Sequence, residues 1–236
     1  MRTIPLLMLA LVLIATACAP ASVPASPTPE PSLTPSPSPT VTPPVLAGSI
    51  YVDVQQAETG LGFPQLGSAS APISVLVFNA FDCNACINFA AQIWPVLVGR
   101  AQAGEILLTY VPLVSGELPN GEAAANAALC AGDQDAFWPY YDRLITVLSA
   151  EGAEALTPER LVAAAAELGL DGEAWQTCLL SSRPITILTN ALTSTQQHVG
   201  FNGAPAVFVD AISVAADALA IDAAVNIALA EQRATN

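Results

Sequence analysis

Lysine is absent from this chain of 236 residues, and its six basic side chains are all arginine against 20 acidic ones. A formal net charge of -14 argues against nucleic acid as a partner, because binding to a phosphate backbone depends on cationic side chains that displace counterions. Anionic lipid headgroups are disfavoured on the same ground. Histidine occurs once, at His198. With no second close cysteine pair in the sequence, the usual Cys and His sets that hold zinc cannot be assembled, and we expect neither a metal nor an organic cofactor. Apolar runs long enough to span a bilayer are missing too: the longest, Ile4 to Ala17, falls short of the roughly 20 residues such a helix needs.

What that run does resemble is an export signal. Arg2 supplies a minimal positive start, the apolar stretch follows, and Ala15-Thr16-Ala17 gives small residues at the cut. Cys18 comes next. The arrangement is similar to a bacterial lipoprotein signal, in which the cysteine after the small residues receives lipid and becomes the mature N-terminus, although Ala15 stands where Leu is usual. The segment Ala19 to Pro44 is then almost entirely Pro, Ser, Thr and Ala, with Glu30 as its one charge. Such a composition cannot bury enough apolar surface to fold. In an extended polyproline conformation it would reach up to about 80 Å. We therefore expect a signal peptide at 1–17, a lipidated Cys18 and tether at 18–47, and a folded domain from 48 to 236.

The hydrophobic share of 53% is enough to fill the core of that domain. A short strand is expected at Ile50-Tyr51-Val52, and a stronger one at residues 73–78, where β-branched side chains run together. Helical spacing follows from Cys83 to Gly99, with a kink implied by Pro95. Residues 106–111 read as a second strand, completing a βαβ unit. The Ala-, Leu- and Glu-rich stretch from 121 to about 199 predicts four or five helices, one starting at Thr157 as cap with Pro158 in its first turn. A strand at 205–209 and a helix at 219–232 close the chain.

If Cys18 carries lipid, Cys83, Cys86, Cys130 and Cys178 remain. Cys83 and Cys86 lie three apart at a strand-to-helix junction, which favours their pairing with each other. So small a loop adds little chain-entropy stabilisation, which makes the pair a redox device more than a staple. A helix N-terminus offers unpaired N–H groups and the positive end of the macrodipole, both of which stabilise a thiolate. Cys83, expected to be the more exposed, is then the nucleophile and Cys86 the resolving thiol. An inert disulfide or half of a metal knuckle is the alternative.

Three stretches in order carry a family resemblance: LGSASAPISVLVFNAFDCNACINFAAQIWPVLV at 66–98, AALCAGDQDAFWPYYDRL at 127–144 and VGFNGAPAVFVD at 199–210. They resemble the active-site region, the start of the inserted helices and the cis-proline loop of DsbA-like thioredoxin-fold oxidoreductases. The resemblance implies an α/β, thioredoxin-like fold with a helical insertion at about 120–199. It also makes Cys83, Cys86 and Pro205 catalytic, with the backbone of Ala204 offered to substrate. A structural disulfide Cys130–Cys178 is implied in the same way, two buried free cysteines being the alternative. The expected function is an extracytoplasmic thiol–disulfide oxidoreductase that forms, reduces or exchanges disulfides in exported proteins. A membrane redox partner would reset it, and a lipid anchor would hold it at the cell membrane. A redox-inactive surface lipoprotein that only binds is the other reading.

Three departures from the family put the redox poise in doubt. Val77 stands where many thioredoxin-fold enzymes bury an acid. Asn84-Ala85 separates the cysteines where strongly oxidising relatives have proline and histidine. Ala80 replaces an acid that relatives often carry, while Asp82 adjoins Cys83 and is expected to oppose its thiolate. His198 is expected to serve carbonyls at a helix end, and Phe81, Phe89, Trp94 and Phe201 to fill the core more than to line a groove.

Overall fold

The structure, a computed structural model, describes residues 50, 51 and 53–235. The expected signal peptide, Cys18 and the tether lie outside the described residues, as does Val52.

The centre of the domain is the pair β3 (Ile73–Ala80) and β4 (Ile106–Leu113), parallel and in register from Ile73 opposite Ile106 to Ala80 opposite Leu113. Ile73, Val75, Val77 and Phe78 are wholly buried, which suits β-branched and aromatic side chains packed on a pleated surface. On the far side of β4 lie β2 (Pro64–Leu66) and β1 (Gln56–Glu58), both antiparallel. On the far side of β3 lie β5 (Ala206–Val209) and β6 (Ile212–Val214), also antiparallel, giving the order β1-β2-β4-β3-β5-β6. This is the expected mixed α/β, thioredoxin-like class. Three strands were not foreseen, β1, β2 and β6, because at three residues each they are too short to show a period.

Two of the local expectations change. Ile50 and Tyr51 form a turn, and among the described residues the place beside β2 is taken by Gln56–Glu58. The kink foreseen at Pro95 is a full break into α1 (Asn84–Gln92) and α2 (Trp94–Gln102), with Ile93 ending one and starting the other. Proline tolerates the first turn of a helix, where its missing N–H would have no partner, but not the interior.

Between β4 and β5 come α3 (Gly121–Gly132), α4 (Phe137–Glu151), a 3₁₀ turn (Gly152–Leu156), α5 (Pro158–Glu167), α6 (Gly172–Leu179) and α7 (Arg183–Gln197). Thr157 holds the cap position of α5, but its hydroxyl donates back to the Glu154 carbonyl at 3.2 Å. That carbonyl also accepts the Thr157 N–H at 3.4 Å, and a threonine side chain readily adds such a local bond. A final helix, α8 (Ala218–Thr235), packs on β3, β5 and β6. The helical block is joined to the sheet by an aromatic cluster. Trp94 on α2 and Tyr110 on β4 meet Trp138 and Tyr141 of α4 at ring separations of 5.3 to 6.3 Å. Among the described residues no helix is long and apolar enough to cross a membrane.

Candidate redox centre

β3 runs into the interior and ends at Ala80, and three residues later Cys83 caps α1. Its backbone is extended (φ -124°, ψ 119°), and its Sγ accepts the N–H of Cys86 at 3.2 Å. Cys83 and Cys86 are joined as a disulfide with Cα atoms 5.1 Å apart. The β3–β5 register sets Phe78 opposite Ala206, so the antiparallel run brings Ala204 level with Ala80, at the mouth of the redox pair. There the Ala204 carbonyl oxygen lies 3.6 Å from Cys83 Sγ, and the Ala204–Pro205 peptide is cis.

Exposure does not separate the sulfurs as expected. Cys83 is 1% exposed and Cys86 0%, because Ala80, Leu113 and Ala204 close over the pair.

Asp82 is built into the fold. It is fully buried, and its carboxylate accepts the N–H groups of Ser115 at 2.9 Å and Gly116 at 2.6 Å. Its carbonyl oxygen accepts from Ser115 Oγ and Leu118 N. Gly121 is required beside it, since a Cβ there would sit 2.2 Å from the Asp82 side chain. Asp82 thus ties the active-site turn to the loop after β4. The acid that reaches the helix is a different one: Glu117 Oε2, on that same loop, accepts from Asn84 N at 3.0 Å and Asn84 Nδ2 at 3.3 Å. Sequence reasoning missed Glu117, because 33 positions separate it from Asn84 and only the folded loop brings them together.

Val77 is buried and apolar in β3 and offers no proton relay to Cys86. Across the ladder from it, Tyr110 is fully buried, and its hydroxyl has no hydrogen-bond partner among the described residues. Burial first, and the charge of Asp82 second, push its ionisation well above the usual phenol range.

Away from the redox pair, Cys130 and Cys178 form a second disulfide, linking α3 to α6 with Cα atoms 5.6 Å apart. His198 ends α7, its Nδ1 2.8 Å from the Ser194 carbonyl oxygen and its ring edge-on to Phe78 and Phe208. Phe81, Phe89 and Trp94 are core residues, and Phe201, partly buried, packs against Phe78 of the same core. One buried network had no sequence signal: Trp94 Nε1 donates to Tyr51 Oη, which donates to Asp142 Oδ1 at 2.7 Å. Desolvation raises the Asp142 carboxyl to about 6 despite that bond. Among the described residues no cluster of His, Cys, Asp or Glu is arranged to hold a metal.

A CxxC pair caps the helix after a central strand and faces a cis-proline, and comparisons with known proteins bear on this fold. The family profile described as Thioredoxin matches residues 62–226. The chain belongs to this thioredoxin family. Within it, the chain is similar to the probable disulfide bond formation protein D of Bacillus anthracis, 29% identical over 150 residues that cover 61% of this chain and 68% of the relative. Among solved structures it resembles oxidised BdbD of Bacillus subtilis, with TM-score 0.63, 21% identity and coverage of 75% of this chain and 98% of that one. DsbA of Chlamydia trachomatis superposes with TM-score 0.60 at 24% identity, over 74% and 93% of the two chains. The Cys83–Cys86 pair is thus the CxxC centre of a DsbA-like thiol–disulfide oxidoreductase.

Proposed function

We propose that this protein exchanges disulfides with exported proteins on the outer side of the cell membrane. The observation that carries the reading is the position of Cys83: cap of α1, bonded to Cys86, with its sulfur beside the Ala204 carbonyl ahead of Pro205. A substrate thiolate attacks Cys83 Sγ, the Cys83–Cys86 bond breaks, and Cys86 leaves with the electron pair and takes a proton. A second substrate thiolate then attacks the substrate sulfur of the mixed disulfide and expels Cys83 as thiolate. Two electrons have moved from the substrate dithiol to the pair, and a membrane redox partner would remove them. In the reverse direction the reduced pair reduces a substrate disulfide. Ala204 would hold the substrate backbone as an added strand, and Pro205, having no N–H, leaves that approach free of a competing donor.

Lipidation at Cys18 would anchor the domain through the Pro-rich tether. Unchanged membrane association of Cys18→Ser would sink that anchor. The function itself is tested by thiol trapping in cells with Cys86→Ala, which should collect exported proteins as mixed disulfides on Cys83. An empty trap would favour a binding lipoprotein that has lost turnover.

A further inference from the structure

The loop that Asp82 holds delivers a charge to the redox helix. Ser115 and Gly116 donate to the Asp82 carboxylate, Leu118 N donates to its carbonyl, and Glu117 N donates to Ser115 Oγ. Held on both flanks, Glu117 places its carboxylate on the first N–H of α1 and on the Asn84 amide. Among the described residues no ion pair includes Glu117, while Arg100, Arg143, Arg160 and Arg183 are each matched to carboxylates elsewhere.

We propose that Glu117 tunes the redox pair: by occupying the N-terminus of α1 with a fixed negative charge, it holds Cys83–Cys86 to a weaker oxidising poise than the helix alone would give. The inference rests on the reading of Cys83 as the exchanging sulfur. When a substrate dithiol reduces the pair, the Cys83–Cys86 bond breaks and the substrate disulfide forms. Of the two protons lost by the substrate thiols, one goes to Cys86 and one to solvent, leaving Cys83 as thiolate. That thiolate draws on the same helix terminus that Glu117 already occupies. One N–H is engaged by a competing acceptor, and two negative charges share one positive helix end. The reduced form is less favoured, and an oxidant is weaker when its reduced form is less favoured. Glu117 touches Asn84 and not the reacting sulfurs, so its role is positioning of charge rather than catalysis. Its charge acts beside that of Asp82, whose carboxylate accepts from the loop.

The test uses the purified full chain and three proteins: wild type, Glu117→Gln, which keeps an acceptor without the charge, and Glu117→Ala, which removes both. Ultraviolet absorbance of the thiolate against pH reads Cys83, and equilibration with glutathione buffers reads the pair. Both variants should form the thiolate at a pH lower by about half a unit, toward the small end of charge effects because the carboxylate is exposed. Both should shift the glutathione equilibrium about threefold toward the oxidising side, which is about 15 mV. The difference should shrink at about 1 M salt. Unchanged constants in Glu117→Gln would overturn the proposal, and a change in Glu117→Ala alone would overturn it too, by reducing Glu117 to a loop contact. These readings are made on the pair itself. An empty substrate trap would therefore defeat the proposed function without obscuring them.

Discussion

The two disulfides occupy opposite ends of helices. Cys83 caps α1 and Cys86 lies in its first turn, whereas Cys130 and Cys178 both sit in the last turns of α3 and α6. Exposure runs against the simplest account of reactivity, since Cys178 is 8% exposed and Cys83 only 1%. What differs is the fate of a thiolate. At the start of a helix it meets free N–H groups and the positive end of the macrodipole, while at the finish it meets free carbonyls and the negative end. Thiol–disulfide exchange needs both a sulfur to attack and a thiolate able to leave. Attack on Cys178 would expel Cys130 against the carbonyls of α3, past a rim that includes Asp133, Asp171 and Glu173. Attack on Cys83 expels Cys86 into the first turn of α1. The helix end selects the redox pair, and the chain length between the cysteines selects the staple.

The largest expected effects follow directly. Cys83→Ser should reduce exchange with a dithiol peptide to the uncatalysed rate, while Cys130→Ala/Cys178→Ala leaves kcat/KM unchanged. Stepwise reduction with dithiothreitol, followed by mass-tagging of free thiols, should open Cys83–Cys86 well before Cys130–Cys178. If the second pair opened first, the helix-end argument would fail. Next comes stability. The Cys130–Cys178 bridge closes a separation of 48 residues, so its removal should cost up to about 4 kcal/mol on the chain-entropy model, read from urea unfolding of the oxidised protein. Converting the Cys83–Cys86 disulfide to the dithiol should cost far less by the same entropy count, because its separation is 3.

Much of this contrast was legible in the sequence because its signals are local. The run at 73–78, the cysteine spacing and the helical composition after 121 each lie within one element. The pieces that escaped are those that only folding brings together. Glu117 meets Asn84 through a loop whose course depends on buried Asp82 and on the space left by Gly121. Tyr51 meets Asp142 across 91 positions, and no period or spacing announces such a contact. The hydrogen bonds of Asp82 have the same origin: adjacency in sequence to Cys83 says nothing about the loop that its carboxylate meets.

Asp142 sharpens the comparison through pH. It lies on α4, within the helical block, and burial raises its carboxyl to about 6 in the folded protein against an ordinary value of about 4 when unfolded. The folded state therefore holds the proton more tightly. Its contribution to stability is fully present below about pH 4, declines as pH rises through about 6, and is absent above that. The span corresponds to roughly 3 kcal/mol, as an upper figure that water near a partly exposed group reduces. Asp142→Asn should remove this slope between pH 4 and 6 in urea unfolding, yet leave the Cys83 thiolate titration where it was. A shift of that titration would mean that the helical block and the redox face are electrostatically coupled.

The smallest expected effect concerns the boundary between the two regions. Tyr110 stands on β4 beside Val77, packed against Trp94, Phe137, Trp138 and Tyr141, with a buried hydroxyl that has no partner among the described residues. The charge of Asp82, from the active-site side, adds to burial in holding that hydroxyl protonated. A buried hydroxyl without a hydrogen bond carries a desolvation cost that its packing must offset. Tyr110→Phe keeps the ring and its aromatic contacts and deletes only that group, so it should be neutral or stabilise by up to about 1 kcal/mol. The glutathione equilibrium of Cys83–Cys86 should not move, because Asp82 spends its carboxylate on Ser115 and Gly116 and needs no donor from Tyr110. A loss of more than about 1 kcal/mol would instead mean that the hydroxyl makes a bond in solution. If the redox equilibrium moved with it, that bond would run through Asp82 to the loop that carries Glu117, and the aromatic cluster would join the two regions rather than separate them.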